Sequence, residues 1–419
     1  MQNYQKNKIL MVDISFSNFQ RWIKFHSAAR HIFRGLFFLI FLISIPIFFS
    51  SCKNTDRIDE IKKGYFFELV DSVKVDIPYE FGLVSPKMID GHLLAYSYLD
   101  QTFHLLDSMG KIQKSIKQQG EGPKEYSEIL FFVTIHDGHI IFMDDKKLTY
   151  INFLGEWVKS IPYNDPNFSR RGGIPYNDIY FIDKNSFVVP SVHLDDLGFR
   201  EDYHAVLDTI PIWFHYRYSS VTDEFEIDSH GRLDTSSMLF SQLKFNNYKP
   251  RIFLDKGVVS TYFHLFPTIY KYKIGESNFP ISKKKVLIQD FKKPIGLDYK
   301  SITFENHMEF NRAAEINSTL SYVVSLEDNR LFFIYGQGKN INMYDSDADE
   351  AQESLFFGFI EDFEDGNESR IELPKHHGHP SFGRGISYLG ENRFLFIYEN
   401  EVERDFYCGK IFELKPISK

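Results

Sequence analysis

Few side chains in this 419-residue chain have both the type and the spacing that chemistry requires. His376, His377 and His379 form a local cluster, His376-His377-Gly378-His379-Pro380. Imidazoles this close can give a transition metal two ligands, but a defined centre needs three or four donors and an outer shell of hydrogen bonds. No Cys-x-x-Cys or His-Glu-x-x-His supports them, so they read as a polar loop, with His376, His377 and His379 kept as candidate ligands. Asp345-Ser346-Asp347-Ala348-Asp349 opens like a calcium loop. The sixth and twelfth places, where an EF-hand carries Gly and Glu, hold Glu350 and Phe356, so a solvated acidic loop is expected.

Gly120-Glu121-Gly122-Pro123-Lys124-Glu125-Tyr126 has the glycines of a phosphate loop but lacks the Gly-Lys-Ser/Thr and the helix that would complete one. It reads as an irregular connection with Tyr126 packed beneath it. No Gly-x-Ser-x-Gly elbow is found, and Cys408, between Tyr407 and Gly409 in an apolar run, reads as a small packed thiol. No catalytic residue and no cofactor follows from these motifs. Paired carboxylates for glycoside chemistry need geometry to be recognised.

Cys52 is different. Residues 1–35 carry six bases against Asp13, then an uncharged apolar run from Leu36 to Phe49 ends in Ser50-Ser51-Cys52. A basic start, an apolar middle and small residues at the end make a secretory signal. The run is shorter than the roughly 20 residues that span a bilayer. Phe49-Ser50-Ser51-Cys52 resembles the lipobox of bacterial lipoproteins, which implies cleavage after residue 51 and acylation of Cys52. Residues 52–64 would then be a polar tether, and residues 65–419 the folded part. Losing residues 1–51 removes six bases and one acid and moves the net charge from −9 to −14. That acidity argues against nucleic acid and anionic lipid as partners, both of which need a basic footprint.

The elements that must carry any site repeat along the chain. Asp90-Gly91 and Asp137-Gly138 each join two apolar runs, and both are followed by two more runs separated by a Gly turn. Asp-Gly suits a type I′ hairpin because both central residues take positive φ. The unit recurs more loosely, with second strands starting at Leu93, Ile140, Phe187, Val258, Leu331 and Phe394. Four strands per unit predict an all-β, six-bladed β-propeller of four-stranded antiparallel blades. The last unit runs out of chain after residues 406–414. Residues 65–77, a strand-like stretch with no earlier partner, are expected to complete that blade and close the ring. These second strands are expected close to the central channel, and one short helix is expected over 299–316.

Together, Cys52, the Gly120–Tyr126 loop and the Asp-Gly-led units resemble a family of functionally uncharacterised Bacteroidetes lipoproteins with a six-bladed, TolB-like propeller. The resemblance implies an outer-membrane lipoprotein and carries no catalytic residues with it. The first expectation is a lipid-anchored module that binds an envelope protein or glycan through long loops such as 192–209 and 275–315. The alternatives are a polysaccharide hydrolase or lyase working near the channel, and a structural accessory subunit of an envelope complex.

Overall fold

The computed structural model describes residues 64–75, 81–127, 130–163, 179–191, 207–233, 237–241, 243–245, 250–288, 290–298, 313–327, 330–339, 355–362, 368–374, 385–399 and 407–417. Among the described residues the first element is β1 (Tyr65–Val75). Blade 1 is β2 (Phe81–Leu83), β3 (Leu93–Ser97), β4 (Thr102–Leu106) and β5 (Ile112–Ile116). Blade 2 is β6 (Leu130–His136), β7 (His139–Asp144), β8 (Lys147–Asn152) and β9 (Trp157–Pro162). Blade 3 is β10 (Tyr180–Asp183), β11 (Ser186–Pro190), β12 (Trp213–Ser219) and β13 (Glu224–His230).

A short pair, β14 (Leu243–Lys244) with β19 (Leu297–Asp298), flanks blade 4, which is β15 (Pro250–Asp255), β16 (Val258–Phe263), β17 (Phe266–Lys273) and β18 (Ser282–Lys285). Blade 5 is β20 (Thr319–Ser325), β21 (Arg330–Gly336), β22 (Phe356–Asp362) and β23 (Glu368–Ile371). Blade 6 is β24 (Ile386–Gly390), β25 (Arg393–Glu399) and β26 (Tyr407–Pro416), and its fourth strand is β1, antiparallel to β26 from Tyr65 opposite Pro416 to Val75 opposite Tyr407. The protein is the expected six-bladed β-propeller, closed by its N-terminal strand.

The apolar runs form strands, and not helices, because each strand's two faces are buried in different places. In β21, Leu331, Phe333 and Tyr335 pack between blades 4 and 5, while Phe332 and Ile334 pack between blades 5 and 6. In β7, Ile140 and Phe142 face blade 1, and Ile141 and Met143 face blade 3. Period-2 alternation on a strand covered on both faces produces an unbroken hydrophobic run. Among the described residues six such core clusters occur, one at each contact between consecutive blades, including the one where Leu395 and Ile397 of blade 6 meet Leu93 and Ala95 of blade 1.

The turns follow the same logic. Asp90 and Gly91 (φ 51° and 75°), Asp137 and Gly138 (48° and 72°) and Glu391 and Asn392 (51° and 58°) all take the paired positive φ of a type I′ hairpin. At Lys184-Asn185 the Asp183 carboxylate accepts the Asn185 N–H at 2.7 Å, an Asx turn doing the same work.

Three expectations change. Residues of the first strands of blades 2 to 5, and not of the second strands, line the cavity where the blades converge. The 275–315 stretch is not all loop, since it contains β18, whose main chain completes blade 4. Of the helix expected over 299–316, residues 313–316 form one helical turn, and the rest lies outside the described residues.

Candidate functional site

Among the described residues, three places gather polar side chains. The first is the channel, a cavity of about 190 Å³ where Lys87, Thr134, His136, Tyr180, Leu254 and Ser325 converge from five blades. The His136 ring lies flat on Phe181 at 4.0 Å. Burial lowers the pKa of Lys87, opposed by the charge of Asp255, and burial likewise lowers that of His136. The volume is below the 300–1,000 Å³ typical of small-molecule sites. Neither of the two carboxylates that glycoside chemistry requires is among the described lining residues.

The second is a cavity of about 850 Å³ on the outer part of blade 4. Phe266 and Tyr270 of β17, with Ile288 and Phe291 from the segment after β18, form its apolar part, and Leu287 stands 62% exposed beside it. Lys283, Lys285, Lys292 and Lys293 also line it. The strand explains the arrangement: β18 reads Ser-Lys-Lys-Lys, and charges on an edge strand discourage pairing with another chain. Alternation sends Lys283 and Lys285 to the cavity face and Lys284 to the other, where it pairs with the buried Glu361 of blade 5. The wall after β18 is anchored to blade 5. Lys292 donates its N–H to Ser318 Oγ at 2.9 Å and its Nζ to the carbonyls of Gly338 and Lys339, and Asn317 Oδ1 accepts the Ile295 N–H at 2.7 Å. A preformed apolar hollow ringed by lysines in a chain of net charge −9 suits a ligand that is apolar on one side and anionic on the other.

The third is on β12 and β13 of blade 3. The register sets His215 opposite Asp228 and Trp213 opposite His230, so alternation puts both imidazoles and the carboxylate on one face. One donor atom from each of His215, Asp228 and His230 lies within 4.8 Å of the others. His215 is 8% exposed and its Nε2 has no hydrogen-bond partner. Burial lowers its pKa, Arg217 and His230 push the same way, and Asp228 and Asp183 oppose. Asp228 accepts a 2.7 Å bond from Arg217, which also lies 3.4 Å from Glu226.

Of the residues singled out in the sequence, Tyr126 is placed as expected. It is 2% exposed, stacked on Phe142 at 4.3 Å, and its main chain bonds to Gln118 and Gly120, closing the loop on itself. Glu125 accepts the Gly122 N–H at 2.8 Å and fills the space a Cβ on Gly120 would need. Cys408 sits partly buried in β26. Cys52, residues 345–349, residues 192–206 and the candidates His376, His377 and His379 lie outside the described residues. His215, Asp228 and His230 went unnoticed in the sequence. Their one local signal is a pair of i, i+2 polar repeats, His215-x-Arg217 and Asp228-x-His230, on either side of a turn.

Fold and sites together define a closed six-bladed propeller with built surfaces away from its axis. No protein-family model and no curated relative matches the chain. Solved structures do. A member of the DUF4221 family from Bacteroides vulgatus superposes with a TM-score of 0.59 at 10% identity, covering 85% of this chain and 99% of that one. A candidate exported protein from Bacteroides fragilis gives a TM-score of 0.50 at 12% identity, with coverage of 84% and 96%. At such identities the likeness is one of fold.

Proposed function

We propose that this protein is a lipid-anchored interaction module of the bacterial outer membrane, holding an acidic, partly apolar segment of an envelope protein in the lysine-lined cavity of blade 4. In this reading residues 1–51 direct export and are removed, Cys52 is acylated, and residues 53–64 tether the ring to the membrane. The Phe49-Ser50-Ser51-Cys52 pattern supports the anchor, and a fold shared with a candidate exported protein agrees with an envelope location. Two or three acyl chains would hold the protein durably, at about 0.8 kcal/mol per buried CH₂.

The cavity carries the proposal of a partner. Its apolar part matches the side chains of a protein segment, and its lysines select acids and disfavour basic partners by charge repulsion. A photoreactive residue at Leu287 tests this in intact cells: it should crosslink one envelope protein through an acidic stretch, and excess salt during capture should reduce the yield. Crosslinks to glycan, or only to the lipid phase, would overturn the choice of partner.

A further inference from the structure

We propose that His215, Asp228 and His230 form a binding site for a divalent transition-metal ion of the zinc class, built across the third and fourth strands of blade 3. The donor set is two imidazoles and one carboxylate, the composition of open zinc sites in which water takes the remaining position.

Several observations point to a ligand and not to a packed polar cluster. The Nε2 of His215 is buried without a hydrogen-bond partner, and one donor atom each of His215, Asp228 and His230 lies within 4.8 Å of the others. A buried polar atom left unsatisfied costs stability, and an ion would satisfy it. His230 is held from two sides. Its Nδ1 lies 3.1 Å from Asn278 Oδ1 on blade 4, which makes Nδ1 the donor and leaves Nε2 its lone pair. Its ring also stacks on Trp213 at 4.8 Å and 22°. Gly231, at φ 75°, allows the chain to leave β13 there, since a Cβ would come within 2.7 Å of the Trp213 indole nitrogen. Arg217 occupies Oδ2 of Asp228 and leaves the other oxygen to coordinate. Its charge opposes a cation, and Glu226 on its other side offsets it.

Distance decides what must move. Zinc bonds of about 2.0–2.1 Å in a tetrahedron place donors about 3.3 Å apart. The present 4.8 Å spread therefore closes by side-chain rotation, because seven cross-strand pairs from Trp213 to Ser219 fix the backbone register.

The test is Zn²⁺ binding to full-length, detergent-solubilised protein stripped with a chelator, read by competition with a chromogenic chelator and by the visible bands of Co²⁺. One ion per chain is expected. His215→Asn and Asp228→Asn should each weaken Zn²⁺ at least about 100-fold, and Asn278→Ala about 10- to 100-fold. The triple variant His376→Ala, His377→Ala, His379→Ala should keep the tight site. Binding that survives His215→Asn, that disappears in the triple variant, or that is absent from the wild type would overturn the proposal. Asn278 is exposed, so its variant decides the matter if His215→Asn fails to fold.

Discussion

Phe67, on the first strand of the ring, stands edge-on to Phe394 of the last blade, with ring centroids 5.5 Å apart. Phe332, Phe396 and Phe412 surround the same ring at 5.8, 5.4 and 6.2 Å. Edge-to-face pairs of this kind add about 0.5–1.5 kcal/mol beyond area burial. Phe67 is thus one anchor of a largely exposed strand, and Val75, fully buried in the core between blades 6 and 1, is the other, so that the strand closes the propeller at both ends. Phe67→Ala should cost about 2–3 kcal/mol in urea unfolding, less than the about 3–5 kcal/mol of a fully buried ring because this one is only half-buried. Deleting residues 65–75 should abolish the single cooperative transition and expose the β26 edge to association, seen by light scattering.

The Tyr126 hydroxyl is buried without a well-formed hydrogen bond, and burial raises its pKa far above the ordinary value, the nearby Gln118 main chain opposing only weakly. Removing an unsatisfied buried hydroxyl removes a desolvation penalty of about 1–3 kcal/mol. Tyr126→Phe should therefore leave the thermal midpoint unchanged or higher, whereas Tyr126→Ala, which empties the space over Phe142, should cost about 3–5 kcal/mol. A marked loss in Tyr126→Phe would mean the hydroxyl has a partner.

His104 of β4 is 7% exposed, with Nδ1 2.9 Å from Ser115 Oγ. Burial lowers its pKa below the ordinary 6.5, with Asp100 opposing. The unfolded chain then takes up a proton near pH 6.5 that the folded chain resists, so stability should be level at pH values well above 6.5 and fall as pH drops from 6.5 towards the folded pKa. Thermal midpoints across this window should fall less steeply in His104→Gln; an identical slope in both proteins would exclude His104 as the source.

Lys285→Glu with Lys293→Glu reverses two charges at the blade 4 cavity on exposed side chains. Unfolding should change by less than about 0.5 kcal/mol, as for most surface substitutions. Capture of the acidic partner through Leu287 should be lost. Undiminished crosslinking would show that the lysines only guard the edge of β18.

Metabolic labelling with a fatty acid should mark the wild type and not Cys52→Ala. Equal labelling of both would remove the lipid anchor.

The second strands, their tight turns and the closing strand were legible because each rests on local physics: alternation along a pleated strand, positive φ at Asp-Gly, and a last unit one strand short. His376, His377 and His379 stood out only because they are neighbours in sequence. His215, Asp228 and His230 became neighbours only through the β12–β13 register, and Asn278 joined them from another blade. The blade 4 cavity likewise depends on Lys283 and Lys285 sharing a face with Phe266 and Tyr270, which no spacing along the chain reveals. Backbone preference acts over a few residues and writes the blades into the sequence. Register and blade-to-blade packing act across tens of residues, and they decide which side chains meet.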